Sequence, residues 1–249
     1  MDFRKVFNWQ FILGAVLIFL SALVYYVHFL IFRDSHHIFI YLVGDIAFVF
    51  LEVFLVTLVM HNLLAYREKQ ALFKKMNMVI GAFFSEVGRG LLKSCIAFDM
   101  QGCSISDKLI MHSEWSTPEF RRLQKEARGF DCQIDYKKGD LAGLKDFLVK
   151  KRNFLLGLLE NQNLLEHETF TDLLWAVFHL SEELEGRADL NQLTPKDYEH
   201  ISGDLKRVYR LLVIQWVSYM EHLRLNYPYL FSLAMRTNPF DAQARIEVS

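Results

Sequence analysis

The sequence is poor in residues that punctuate or cross-link a chain. Four prolines and twelve glycines in 249 residues exclude a collagen-like repeat, a Pro-rich linker protein and a wholly disordered chain. Cys95, Cys103 and Cys132 are odd in number and widely spaced, with no C-x-x-C. That pattern argues against a disulfide framework or a zinc ribbon and fits thiols kept reduced. Charge of one sign is missing too. Lys and Arg number 28 against 29 Asp and Glu, a formal net charge of −1, so no global field draws the chain to nucleic acid. Nucleophile elbows, P-loops, Gly-rich dinucleotide turns, H-E-x-x-H and paired E-x-x-H are absent from the sequence. No enzyme activity and no cofactor is expected from it.

What is abundant is apolar: 52% of residues are hydrophobic and 22 are Phe. Residues 9–32 form a run of 24 without Asp, Glu, Lys or Arg. Crossing a hydrocarbon core of ~30 Å takes about 20 helical residues. A signal peptide has an apolar region of about 7–15 residues that ends at a small-residue cleavage site. Here the run continues through Tyr25, Tyr26 and His28 without such a site, so a retained span is expected. Residues 38–64 form a second run, interrupted only by Asp45 and Glu52. The five residues 33–37 suffice to turn an antiparallel pair. The expected result is a transmembrane hairpin over 1–64.

Flanking charge orients it. Arg4 and Lys5 precede the first span, and the juxtamembrane Arg67, Lys69, Lys74 and Lys75 follow the second; the connecting loop has only Arg33. Positive charge stays on the cytoplasmic side, so both termini are expected there.

The ionisable residues inside the spans are the most informative. Asp45 and Glu52 are seven apart and share a helix face, separated by ~10 Å along the axis, with Tyr41 on the same face. A carboxylate near the bilayer centre costs at least ~2.5 kcal/mol on insertion scales, so such groups face protein or a water-filled cavity. Folding the hairpin about Ser35 brings Tyr25 level with Asp45, His28 within a turn of Asp45, and Ser21 within a turn of Glu52. Asp45, Glu52, Tyr41, Ser21, Tyr25 and His28 are therefore candidates either for polar contacts that join helices or for an ion path through an oligomer. His28, His36 and His37 offer an external metal or pH site; solvated interfacial histidines are the plainer reading.

The remaining chain reads as helices. Residues 65–99 form a juxtamembrane helical segment continuing from the second span. A cytoplasmic α-helical domain is expected over 100–236 and a flexible tail over 237–249. Thr117-Pro118 opens one helix with a hydroxyl cap. Helices follow over 140–163, 169–185 and 194–224, the last apolar nearly all round and hence central. Residues 130–136 alternate but have no visible partner strand, so they are read as loop. The fold class is all-α. Asp197 and His200 stand at i, i+3, as do His179 and Glu182; a solvated helix start and a helix-surface hydrogen bond explain these pairs more simply than a di-iron site. Glu182, Glu183 and Glu185 read as a solvated face.

Two stretches, FLIFRDSHHIFIYLVGDIAFVFLEVFLVTLV and KKMNMVIGAFFSEVG, carry a resemblance over 25–99 to the N-terminal part of uncharacterised bacterial two-span membrane proteins. The resemblance implies a bacterial inner-membrane address and brings no activity with it. The function expected is that of a non-enzymatic, homo-oligomeric two-span protein in the lipid bilayer. It would tether a helical interaction or sensing domain that meets a cytoplasmic protein partner. A cation channel or proton-conducting assembly lined by Asp45 and Glu52 is the alternative.

Overall fold

A computed structural model describes the backbone of residues 3–247 apart from 101–104, 113, 162–163 and 165–166, and the side chains of these except 3–10, 37 and 71–74. The chain divides into two compact units, Met1–Glu68 and Lys69–Ser249. The described residues are helical, with no strand; Asp99 and Ile134 make an isolated antiparallel bridge. The all-α expectation stands.

In the first unit α1, Phe3–Phe32, is followed by the beginning of α2, Ser35–Phe83. The link is tighter than the five residues expected. Arg33 turns the chain at φ 50°, and its N–H donates to the Phe29 carbonyl at 2.8 Å, closing α1 with a left-handed residue just past its end. Asp34 then accepts from the His36 N–H at 3.0 Å, which satisfies an orphan donor in the first turn of α2. Two residues therefore do the work of the loop.

The second unit begins inside α2. A π-helical turn, Phe84–Gly88, leads into α3, Arg89–Phe98. Thereafter come α4, Thr117–Arg128; α5, Leu141–Leu159; α6, Glu168–Glu185; α7, Pro195–Asn226; and α8, Pro228–Arg236. The π turn ends at a glycine for a steric reason. A Cβ on Gly88 would lie 2.5 Å from the Phe84 ring and 3.0 Å from that of Phe83, so only glycine lets the backbone approach these two rings. Phe83 stands edge-on to Phe170, and Phe84 stacks on Tyr219 at 4.9 Å between centroids.

Helix starts follow from side-chain acceptors. Ser116 and Glu119 form a capping box on α4, so the cap is one residue earlier than Thr117, whose hydroxyl accepts from Arg224 instead. Asp140 accepts from the Gly143 N–H. Thr194 and Asp197 form the box of α7 behind Pro195. Each such cap stabilises by about 1 kcal/mol.

The central helix is α7, packed on α3, α4, α6 and α8. Tyr209, Leu212, Val213, Trp216 and Val217 are all fully buried, the burial expected of a helix apolar nearly all round.

Two boundaries need correction. Residues 65–99 are not a separate juxtamembrane segment ahead of a domain starting at 100. Met76, Ile80, Phe83, Val87, Leu91 and Phe98 are core residues of the second unit. Nor is the tail wholly flexible. Asn238 and Phe240 are buried, and the Asn238 amide donates to the Leu109 carbonyl at 2.8 Å. The short helix α8 was not foreseen beyond the Pro228 break.

Candidate functional site

In the first unit the structure brings one expected pair together. The Tyr25 hydroxyl donates to Asp45 Oδ2 at 3.3 Å. Tyr25 is half-buried, whereas Asp45, Tyr41, Ser21 and Glu52 are exposed. Glu52 makes no hydrogen bond or ion pair among the described residues. His28 is half-buried and packs its ring 4.7 Å from that of Phe32, with Nδ1 buried and unpaired. It makes no ion pair with Asp45. His36 is exposed, and the side chain of His37 lies outside the described residues, so no three-histidine cluster is seen. Arg67, Lys69 and Lys75 are exposed; the side chain of Lys74, too, lies outside the described residues.

Among the described residues, ionisable side chains gather in the second unit, on facing turns of α6 and α7. His179 and Glu183 are four apart on α6; His200 and Asp204 are four apart on α7. That spacing puts each pair on one helix face. The packing of α6 on α7 closes the four into one group. Asp204 Oδ2 lies 3.4 Å from His179 Nε2 and 3.4 Å from His200 Nε2. Glu183 Oε2 lies 3.5 Å from His200 Nε2, and Oε1 lies 3.9 Å from His179 Nε2.

The four differ in burial. The Asp204 side chain is 5% exposed, Glu183 27%, and His179 and His200 about half. The group thus sits at the surface with a buried carboxylate for its floor. Two arginines support it. Arg187 Nη1 lies 2.6 Å from Glu183 Oε2, and this hydrogen bond holds the Glu183 carboxyl below the usual carboxylate range against the opposing effect of burial. Arg207 Nη1 lies 3.6 Å from Asp204 Oδ1, the oxygen turned away from the histidines.

The sequence pairs named at i, i+3 are not the pairs that form. Asp197 caps α7 and meets Arg187 at 3.5 Å. Glu182 meets Arg152 at 3.4 Å. Glu183, read as part of a solvated face, turns inward. The signal available was a histidine followed four residues later by a carboxylate, occurring twice, once on each of two consecutive helices.

A cavity of about 480 Å³ adjoins the core elsewhere in this unit, lined by Phe84, Trp216, Tyr219 and His222 among others. Burial lowers the affinity of His222 for a proton and raises the pKa of the Tyr219 hydroxyl.

Fold and site together define an all-helical protein of two units, the second carrying a histidine–carboxylate cluster. The chain belongs to the MJ1433 family. The family's N-terminal helical domain matches residues 4–64, and the C-terminal helical domain of "Uncharacterized protein MJ1433" matches 72–236. The chain is 47% identical over 239 residues to the protein of that name from Methanocaldococcus jannaschii, covering 96% of each. This relative is archaeal, which corrects the resemblance to bacterial proteins. The two matched domains fall on either side of residue 68, where the compact units also divide. No solved structure matches the chain.

Proposed function

We propose that this chain is an integral membrane protein of two spans that carries its second unit at the cytoplasmic face as a non-enzymatic interaction or sensing domain. The observation that carries the reading is the uncovered apolar surface of the first unit. Phe11–Phe32 and the early part of α2 are long and apolar enough to cross a bilayer, and they bury nothing of it themselves. Ile18 is 73% exposed and Phe50 75%. A soluble monomer rarely exposes a contiguous apolar patch beyond a few hundred Å². In hydrocarbon the same surface is at home, and helices satisfy their own backbone groups there.

Flanking basic residues support an orientation with both ends cytoplasmic. Glu52 supports self-association, because a carboxylate on a lipid-facing surface is costly and a second copy of the chain relieves it. The same residue favours the second reading, in which an oligomer conducts cations or protons past Asp45 and Glu52.

Washing membranes with alkaline carbonate tests the anchoring: the protein stays in the pellet on this reading, and release to the supernatant overturns it. Ion flux in liposomes separates the tether from the conducting assembly.

A further inference from the structure

We infer that His179, Glu183, His200 and Asp204 form a binding site for a divalent transition-metal ion, with Zn²⁺ the representative occupant. The inference concerns the second unit alone and does not depend on where the chain sits relative to a bilayer.

Four observations converge. First, the donor set is two imidazoles and two carboxylates, brought by i, i+4 pairs on two packed helices. This is how helical bundles build metal centres from facing side chains. Second, the separations suit a small ion. Zn–N and Zn–O bonds of about 2.0–2.2 Å in tetrahedral array place neighbouring ligand atoms roughly 3.3–3.6 Å apart. The histidine–carboxylate separations are 3.4, 3.4, 3.5 and 3.9 Å, three of them at that spacing and the fourth a little wider, and the potential ligand atoms of His179, Glu183 and His200 all lie within 4.8 Å of one another.

Third, Asp204 Oδ2 is buried and accepts no hydrogen bond. It stands 3.4 Å from two ring nitrogens, yet neither donates to it. A buried carboxylate oxygen without a hydrogen bond costs more than the ~1–3 kcal/mol of a neutral polar group, and the two histidines beside it form ion pairs with it only when protonated. An ion among the four side chains supplies a partner. Fourth, the carboxylates are held from outside. Arg187 on Glu183 and Arg207 on the far oxygen of Asp204 are the outer partners that fix ligand orientation.

The chemistry narrows the metal. Imidazole nitrogens disfavour Mg²⁺ and Ca²⁺, which take oxygen ligands. The absence of thiolate or thioether from the cluster disfavours Cu(I). Zn²⁺, Cu²⁺, Co²⁺, Ni²⁺ and Fe²⁺ remain. Half-exposed histidines let the ion exchange with solvent. Bound, it links α6 to the central helix α7.

The test uses the full chain in detergent, stripped with chelator and titrated with Zn²⁺ against a chromophoric competitor. One ion per chain is expected. Removing outer partners of a metal site lowers affinity by about 10–100-fold, so His179→Ala, His200→Ala and Asp204→Asn, which remove ligands, should each lower it by at least about 100-fold. Asp204→Asn keeps the side chain's shape and guards against misfolding of the alanine variants, read by circular dichroism. His222→Ala should bind as wild type does. Co²⁺ in place of Zn²⁺ should give the visible absorption of a four-coordinate ion, lost in Asp204→Asn. Absence of a stoichiometric ion in the folded wild type would overturn the inference, as would equal affinity in wild type, His200→Ala and Asp204→Asn. Loss of binding only on substitution of His36 and His37 would place the ion elsewhere and overturn it equally.

Discussion

The Tyr25 hydroxyl donates to Asp45 Oδ2 at 3.3 Å, joining α1 to α2 through residues twenty apart in sequence. Interhelical polar contacts in membranes average ~0.6 kcal/mol. Tyr25→Phe should therefore destabilise the helix pair by less than about 1 kcal/mol, and Asp45→Asn should be similarly mild because the amide oxygen still accepts. Double-mutant cycles of steric-trapping or denaturation midpoints measure the coupling. A coupling of zero would make the bond incidental.

Glu52 separates the two membrane readings. If it joins copies of the chain, Glu52→Gln should keep the oligomer, because Gln retains the shape and hydrogen-bonding capacity, and Glu52→Leu should weaken it. If it lines an ion path, Glu52→Gln should leave the oligomer intact and change flux or selectivity. Analytical ultracentrifugation in detergent and liposome flux read the two. Equal assembly of all three proteins, with no flux in any, removes both roles.

The core of the second unit should be intolerant at two positions for opposite reasons. Leu212 is fully buried on α7, and Leu212→Ala should cost about 2–5 kcal/mol by leaving a cavity. Gly88→Ala adds a methyl where the Phe84 ring already stands 2.5 Å from the Cβ position; overpacking of this kind costs about 1–3 kcal/mol. Denaturant unfolding of the detergent-solubilised chain gives both values. Little change in either would place that residue outside the tight core.

Acid should weaken the C-terminal end of α6 through Glu183. Arg187 holds its carboxyl below the ordinary value, so the folded form carries the lower pKa. The stabilisation is then present above the unfolded value of about 4.3 and is lost as pH falls through the folded value. Arg187→Gln removes the guanidinium and should move the acid-unfolding midpoint to higher pH. An unchanged midpoint would show that the pair contributes nothing in solution.

How much of this the sequence discloses depends on the length scale of the cause. The centrality of α7 is legible because apolar residues surround it on every side. The run of the helix from the second span through the basic residues 67–75 is legible as well, whereas the membership of its stripe from Met76 onward in the core of the second unit is settled by the helices it meets. The π turn has no sequence signature of its own. It ends at Gly88, against two phenylalanine rings. The short α8 contributes few buried side chains, Phe231 and Ala234, too few for a periodic pattern. At the candidate site the i, i+4 pairs are visible in the sequence. Which of Glu182, Glu183 and Glu185 turns inward is settled by the contact between α6 and α7.

The central claim, a two-span anchor with the helical unit inside the cell, is tested most directly by labelling intact cells with a membrane-impermeant thiol reagent. The background is Cys103→Ser. Cys95 and Cys132 are buried, and burial pushes the Cys95 thiol well above its ordinary range, so both should stay silent in the folded protein. Ser35→Cys, at the first residue of α2 beside the link from α1, should label from outside. Trp175→Cys, at a position 58% exposed on α6, should label only after the cells are opened. Labelling of Ser35→Cys only after opening, or of Trp175→Cys from outside, would contradict the account.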